Sequence, residues 1–157
     1  MSVKSLRGAY ERLDERTVRF MAINGVRMLR IALGVVFTWF GLLKVIGQSP
    51  VADLVADTVF WIPPEFLVPL LGIWETAIGL GLFFSLALRL ILLLLWIQMI
   101  GTFSILIVQP DIAFQGRNPF LLTTVGEFVI KNLVLIAGGL VVGSTVRRRH
   151  RSPTLTH

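Results

Sequence analysis

Ionisable side chains occur inside segments of this sequence that are otherwise apolar enough to cross a membrane. They are Lys44, Glu75, Glu127 and Lys131, and two amides, Gln98 and Asn132, accompany them. A charge at the centre of a bilayer costs roughly 2.5 to 3.5 kcal/mol on insertion scales, so such residues need partners or a polar cavity. Their chemistry would suit binding a polar headgroup, passing protons or fixing the register of neighbouring helices.

The spacing of these residues predicts some of their partners. Glu127 and Lys131 are four apart with the acid first, which favours an ion pair on one helix face. If that pair forms, Glu75 is left to face Lys44 or to stand protonated. At 1.5 Å per residue Glu75 lies about 14 Å into its segment, and Gln98 has a similar middle depth.

Two interpretations of this polar cluster remain open. In the functional one it binds a ligand, for example the headgroup of a quinone, in a pocket open to the outer side of the membrane. The candidate ligand-binding residues are Lys44, Glu75, Gln98, Glu127, Lys131 and Asn132. In the structural one the cluster fixes helix register, while Lys44 snorkels outward. Arg30 and Arg89 are predicted to be snorkelling anchors near the cytoplasmic boundary.

The elements that must position these residues follow from hydropathy. The chain has 157 residues, 55% of them hydrophobic, and a mean hydropathy of +0.80, which indicates an integral membrane protein. A spanning helix needs about 20 apolar residues, and residues 28–47, 66–84, 90–108 and 125–146 qualify. A tight hairpin at "SLALR" joins the second and third. The predicted fold class is all-α, an integral membrane four-helix bundle.

The basic residues predict the orientation of the bundle. Most of the formal charge of +6 comes from Lys and Arg before or at the start of the first span and from four Arg after the last. By the positive-inside rule both termini should be cytoplasmic. The same residues would contact anionic lipid headgroups, so membrane lipids are expected partners and nucleic acid is not.

Two amphipathic helices are predicted outside the spans. Residues 1–25 form a basic N-terminal segment in which Leu6, Tyr10, Leu13 and Phe20 recur near helical spacing. It should lie on the cytoplasmic surface and end at Asn24 and Gly25, although a solvated lead sequence is the alternative.

In the first outer loop, Ser49 should cap a short helix with Pro50 at its first position, stopped by Pro63 and Pro64. "QPDIAFQGRNPF" should be an ordered outer loop. The four-helix domain then covers residues 26–146, and a basic tail covers residues 147–157.

Glycines supply candidate helix contacts, and other residue types are missing. The predicted helix-packing glycines are Gly34, Gly41, Gly72, Gly79, Gly139 and Gly143. The chain has no cysteine, and His150 and His157 both lie in the tail, which excludes a thiolate metal site and an intramembrane bis-histidine haem. We therefore expect no catalytic residue, no metal site and no intrinsic cofactor.

Several stretches resemble one family. "RIALGVVFTWFGLLKVIG", "LLGIWETAIGLGLFF", "TFSILIVQPDIAFQG" and "GEFVIKNLVLIAGGLVV" are similar to the DoxX-like superfamily of small four-helix bacterial membrane proteins, and most to its reactive-chlorine-resistance inner-membrane branch. The shared pattern falls on Arg30, Gly34, Gly41, Lys44, Glu75, Gly79, Lys131 and Asn132. Two departures are an outer loop shorter than in that branch and the absence of cysteine.

The resemblance implies a place in the bacterial inner membrane and several functions. The leading hypothesis is an accessory subunit of a redox or energy-conversion membrane complex that contacts quinone through the polar cluster. The alternatives are a purely structural scaffold packed against a larger assembly and a stand-alone oxidative-stress resistance protein. The expected protein partners are other membrane subunits or further copies of the chain.

Overall fold

Four helical segments are long and apolar enough to cross a membrane: Leu13–Val45, Pro64–Phe84, Leu88–Val108 and Thr124–Ser144. They belong to a computed structural model that describes residues 3–59 and 61–146, without the side chains of residues 3–10, 12, 56, 57 and 117. The helices are α1 (Val3–Val45), α2 (Ala52–Thr58), α3 (Pro64–Phe84), α4 (Leu88–Val108), α5 (Pro110–Ala113), α6 (Thr124–Lys131) and α7 (Leu133–Ser144). The predicted fold class and all four spans are confirmed.

The spanning helices expose most of their apolar surface. Only 28% to 44% of the residues in their most hydrophobic windows are buried. Large side chains such as Ile107 and Phe66 are 83% and 73% exposed. A soluble protein rarely exposes contiguous apolar surface of this extent, whereas lipid chains would cover it. The chain is a multi-pass membrane protein.

The first helix is one continuous rod. α1 has 43 residues, about 65 Å at 1.5 Å per residue, roughly twice the hydrocarbon thickness of a bilayer. The N-terminal segment is helical as predicted, but its predicted end at Asn24 and Gly25 is wrong. Asn24 lies inside the helix, and its side-chain amide donates to the carbonyl of Phe20 one turn earlier. A single glycine costs a helix only about 1 kcal/mol, too little to end one this long.

α1 and α3 run antiparallel and make the most extensive contact in the bundle. A Cβ on Gly41 would lie 2.5 Å from the backbone nitrogen of Thr76, and one on Gly72 would lie 2.7 Å from the carbonyl oxygen of Gly41. No real side chain fits at such distances, so these glycines let the two backbones touch. Gly34 and Gly79 do the same two turns further along.

The largest fully buried side chains lie where the helices meet. They are Ile78, Leu82, Leu95, Val129 and Val142. Leu33 and Phe37 of α1 join the same cluster as Leu95 of α4 and Val142 of α7. All four spans therefore contribute to one core.

The predicted hairpin between the second and third spans is confirmed. α3 ends at Phe84, and Ser85 and Ala87 adopt positive φ angles of 60° and 40° before α4 begins at Leu88. Glycine is the residue that normally adopts a left-handed backbone, so a turn without glycine is hard to predict from the sequence. The turn is held by a bond from the Leu86 amide to the Gly81 carbonyl, 2.9 Å long, and by Arg30, whose guanidinium donates to the Ser85 hydroxyl.

The short helix of the first outer loop is present but displaced. α2 begins at Ala52, not at Pro50, and the Ser49 hydroxyl accepts only a long bond of 3.4 Å from the Val51 amide, ahead of the helix. The Ser49 carbonyl instead accepts from the Ala52 amide at 3.3 Å, which forms a turn ahead of the helix. α2 ends at Thr58, and Pro64 is the first residue of α3 rather than the stop of α2. A proline suits a first helical position because it has no amide to leave unbonded.

The second loop is ordered, as predicted. α5 is followed by a 3-10 turn at Gln115–Arg117, and an isolated antiparallel bridge between Phe114 and Leu122 encloses this turn. The Thr123 amide donates to the Ala113 carbonyl at 3.0 Å, and the Thr123 hydroxyl caps the first turn of α6 at the Gly126 amide. The loop therefore fixes where the fourth span begins.

The fourth span is not one regular helix. It divides at Asn132, which separates α6 from α7, and the Asn132 carbonyl accepts from the amides of both Leu135 and Ile136. The sequence predicted one continuous helix over residues 125–146, whereas α6 begins one residue earlier, at Thr124. The predicted basic tail, residues 147–157, lies outside the described residues, as do the side chains of Leu6 and Tyr10.

Candidate functional site

Glu75 lies near the middle of α3, eleven residues after Pro64, or about 16 Å along the helix. Gly72 and Gly79 flank it at about one turn on either side and bring α1 against α3. Glu75 itself is 7% exposed. The local sequence thus places a carboxylate inside the bundle at the point where the two backbones are closest.

Lys44 is the ion-pair partner of Glu75. Its Nζ lies 2.6 Å from Glu75 Oε2, and the two side chains are only 7% and 10% exposed. The lysine stem passes directly over Gly72, where a Cβ would lie 2.8 Å from Lys44 Cβ. Snorkelling of Lys44 towards the outer surface is therefore wrong, because the ammonium is held inward by a buried carboxylate.

Gln98 of α4 completes this network. Its Nε2 donates to Glu75 Oε1 over 2.8 Å, so each carboxylate oxygen of Glu75 accepts a hydrogen bond. Gln98 is half-buried. Among the described residues its side-chain carbonyl has no hydrogen-bond partner. We call Lys44, Glu75 and Gln98 the buried network.

The geometry of the buried network offsets the cost of burying two charges. Removing two charges from water costs several kcal/mol for each ion, and their attraction offsets this cost only with good geometry and further hydrogen bonds. Here the pair is close and Gln98 satisfies the second carboxylate oxygen. The network ties α1, α3 and α4 together without a net charge.

Glu127 and Lys131 pair with each other, as their spacing predicted. Lys131 Nζ lies 3.1 Å from Glu127 Oε2, but the side chains are 73% and 56% exposed. The pair lies on the outward face of α6 and makes no contact with the buried network in the hydrogen bonds and ion pairs of the described residues. The six predicted ligand-binding residues thus do not form one cluster.

Asn132 takes a third position. It is 9% exposed and sits at the junction of α6 and α7, where its backbone links the two helices. Its described hydrogen bonds are all made by the backbone. Asn132 therefore lies at the break of the fourth span, away from the buried network.

The remaining predicted glycines pack inside the chain. A Cβ on Gly139 would lie 3.3 Å from the indole nitrogen of Trp96, and one on Gly143 would lie 3.3 Å from Leu92. Both contacts join α7 to α4. Together with the α1–α3 contact, they mean that the glycine faces already meet helices of the same molecule.

Two further features were not predicted from the sequence. An apolar groove of about 510 Å³ opens between α4 and α7, lined by Trp96, Met99, Ile100, Phe103, Leu133, Ile136 and Leu140. The groove is apolar, so no polar residue in the sequence indicated it.

Arg30 was predicted to be a lipid anchor, but it is half-buried and its guanidinium donates to the Ser85 hydroxyl, so it stabilises the α3–α4 turn. Arg89 is exposed.

The amino-acid sequence matches a known protein family. The DoxX family model covers residues 25–109, more than half of the chain. The chain belongs to the DoxX family. No curated protein and no solved structure matches it significantly. The resemblance to the reactive-chlorine-resistance branch stays a prediction.

The extent of the DoxX match separates the two Lys–Glu pairs. The matched segment contains the first three spans, and with them Lys44, Glu75 and Gln98. It stops before Glu127 and Lys131. Among the described residues no group of three His, Cys, Asp or Glu side chains could hold a metal ion. The buried network is therefore the candidate functional site.

Proposed function

We propose that this DoxX protein is an inner-membrane accessory subunit of a redox or energy-conversion complex, and that the buried network contacts the headgroup of a quinone. The observation that carries the proposal is the Glu75 carboxylate, held by Lys44 at 2.6 Å and by Gln98 at 2.8 Å inside a membrane-spanning bundle. Intramembrane ionisable residues commonly mark substrate or proton pathways.

The donor set suits such a headgroup. A quinone presents two carbonyl oxygens, which need hydrogen-bond donors where water is absent. Gln98 is half-buried, and one of its two amide hydrogens serves Glu75, which leaves the other and the side-chain carbonyl for a ligand. Lys44 has three N–H donors, of which Glu75 takes one.

The chain's own part in this function is binding. A bound quinone would supply the electron chemistry, and a partner subunit would exchange the electrons. Lys44 and Gln98 would donate to the headgroup, and Glu75 would hold both donors in position. Gln98 orients the headgroup at the edge of the network that is open to lipid.

The orientation is also part of the proposal. Four spans leave both termini on the same side of the membrane, and the basic residues lie near these ends. The positive-inside rule makes that side the cytoplasm. A periplasm-active reporter fused to the C-terminus should be inactive, and an active fusion would reverse the topology.

Quinone retention tests the site directly. The protein is extracted into nanodiscs with its native lipid, and bound quinone is measured by solvent extraction and chromatography. Gln98→Leu and Glu75→Gln should lose most of the retained quinone, while Lys131→Met, a charge removal outside the buried network, should keep it. Circular dichroism of each variant checks that the bundle is folded. Equal retention in all three variants would refute the site.

A structural role is the second candidate, and the low exposure of the ion pair favours it. With side chains 7% and 10% exposed, Lys44 and Glu75 could serve only to fix the register of α1, α3 and α4. This scaffold would join its assembly through a surface other than the internally covered glycine faces. It predicts that Glu75→Gln lowers stability while quinone retention stays at the wild-type level.

Native mass spectrometry tests the accessory-subunit part separately. The protein is released gently from its own membrane, without added detergent exchange, and its mass is recorded. Association with larger redox subunits in a fixed ratio supports the proposal. A protein that arrives alone or as copies of itself favours the stand-alone oxidative-stress protein.

A further inference from the structure

The indole nitrogen of Trp74 is a buried donor without a partner. Trp74 immediately precedes Glu75 on α3 and is half-buried. Its Nε1 is fully covered and makes no hydrogen bond within the described part of the chain. An unpaired buried N–H costs about 1–3 kcal/mol, and most buried polar groups of native proteins are paired. An acceptor brought to this N–H would therefore be bound favourably.

Trp74 lies on the side of α3 that faces α4. At about 100° per residue, Trp74 and Gly81 are only about 20° apart on the helix surface. A Cβ on Gly81 would collide with the side chain of Ile91, so this side of α3 packs on α4. Because Glu75 is hydrogen-bonded to Gln98 and Trp74 is its neighbour, Trp74 is level with Gln98. The two side chains therefore belong to the same layer of the α3–α4 contact.

The side-chain carbonyl of Gln98 is the complementary unpaired group. The amide nitrogen must face Glu75, because a carboxylate paired with Lys44 at 2.6 Å accepts hydrogen bonds and donates none. The carbonyl oxygen of the same amide then points away from Glu75, and no described residue donates to it. This layer of the α3–α4 contact thus holds one unpaired donor and one unpaired acceptor.

Space for a ligand lies beside Gln98 on α4. Gly101 follows Gln98 by three residues, so it lies about 4.5 Å further along the helix and about 60° around its surface. Gly101 is exposed, and a Cβ there would have no heavy atom of the described residues within 4 Å. The α4 surface next to Gln98 is therefore open to the lipid.

From these observations, and resting on the proposed function, we propose that Trp74 is a further binding residue of this site and that the site takes a quinone in its reduced, hydroquinone form. A hydroxyl group both accepts and donates a hydrogen bond. The hydroxyl oxygen accepts from Trp74 Nε1, and the hydroxyl hydrogen is donated to Gln98 Oε1. The carbonyl oxygen of an oxidised quinone only accepts, so it would leave Gln98 Oε1 unpaired.

Trp96 provides a matched comparison within the same chain. Its indole nitrogen is also buried without a partner among the described residues. On α4, however, Trp96 is about 160° from Gln98, and it lines the apolar groove towards α7. No side chain that lines this groove carries an oxygen that could accept from a hydroxyl. The combination of donor and acceptor is therefore found on the Trp74 side of α4 and not in the groove.

Binding of the two redox forms tests the proposal. A benzoquinone with a short alkyl tail and its hydroquinone are titrated under argon into nanodiscs that hold the protein, with empty nanodiscs as the blank. The wild-type protein should bind the hydroquinone several-fold more tightly than the quinone. Trp74→Phe should weaken hydroquinone binding several-fold and remove this preference, whereas Trp96→Phe should leave the preference unchanged.

The outcomes separate this proposal from the function on which it rests. Equal affinity of the wild-type protein for both forms, or equal effects of the two tryptophan variants, would overturn the role of Trp74 while quinone binding stands. If neither form binds above the blank, the proposed function fails, and the role of Trp74 fails with it.

The indole N–H signals in nuclear magnetic resonance test the contact in the wild-type protein, without a substitution that could unfold it. The chain has four tryptophans, and isotope-labelled indole nitrogen gives one signal for each. Trp→Phe changes at the other three positions identify the Trp74 signal. Added hydroquinone should move this signal to higher frequency, as a new hydrogen bond does, and leave the Trp96 signal in place. An unchanged Trp74 signal at saturating hydroquinone would overturn the proposal.

Discussion

The two Lys–Glu pairs of this DoxX protein have the same chemistry and opposite surroundings. Lys44 and Glu75 come from different helices, 31 residues apart, and their side chains are 7% and 10% exposed. Lys131 and Glu127 come from one turn of α6 and are 73% and 56% exposed. The buried pair depends on the tertiary fold, whereas the exposed pair needs only a helix. Their energetic roles should therefore differ by an order of magnitude.

The largest expected effect comes from removing one partner of the buried pair. Lys44→Met leaves the Glu75 carboxylate buried without a cation, which should lower the free energy of unfolding by about 3–5 kcal/mol. Adding Glu75→Leu on the same chain should recover most of that loss, because no charge then remains. Unfolding in mixed micelles, followed by tryptophan fluorescence, measures both variants. If the double variant is no more stable than Lys44→Met, the two residues do not act as a pair.

Gln98 should contribute less to the free energy of unfolding than the buried ion pair does, but more than a surface contact. Gln98→Leu removes a hydrogen bond to a charged group and should cost about 1.5–3 kcal/mol. Thr102→Val is the matched control on α4, since its hydroxyl only bonds the backbone carbonyl of Gln98. A control that loses as much as Gln98→Leu would indicate a general weakness of α4 rather than a loss from the buried network.

The close approach of α1 and α3 can be broken without changing a charge. Gly72→Ala would place a Cβ 2.8 Å from Lys44 Cβ and from the Val45 amide nitrogen, and overpacking of this kind costs about 1–3 kcal/mol. Gly101→Ala in α4 has nothing within 4 Å and should gain about 0.5–1 kcal/mol. The same unfolding assay compares them. A stable Gly72→Ala would show that the helices can separate without losing the ion pair.

The smallest effect is expected at the exposed pair. Lys131→Met should change the free energy of unfolding by at most about 0.5 kcal/mol, because Glu127 lies in the first turn of the fourth span, where its carboxylate can reach the polar headgroups. The remaining Glu127 stays on the outward face of α6. A loss comparable to that of Lys44→Met would remove the distinction between the two pairs.

The features predicted correctly from the sequence are those that depend on residues close together in the chain. Four apolar stretches gave the spans, and the i, i+4 spacing gave the Glu127–Lys131 pair. The pairing of Lys44 with Glu75 remained only an alternative, because it depends on which face of α1 meets α3. That choice is made by glycines brought together across 31 residues, which no local pattern encodes.

Helix ends were the weakest predictions. Asn24 and Gly25 looked like a stop, yet α1 continues through them, since weak local breakers lose to a helix supported on both sides. Ser49 looked like a cap, yet its carbonyl is used in a preceding turn. The α3–α4 turn was predicted only from the length of the apolar run and its interruption by Arg89, because Ser85 and Ala87 adopt the left-handed backbone without glycine.

The order of the chain gives the buried pair a further consequence for biogenesis. Lys44 ends the first span and Glu75 lies in the second, so the two charges emerge from the ribosome within one helical hairpin. They can neutralise each other while the third span is still being synthesised, and Gln98 joins one helix later. The first two spans can therefore leave the translocation channel as a unit whose charges are already matched.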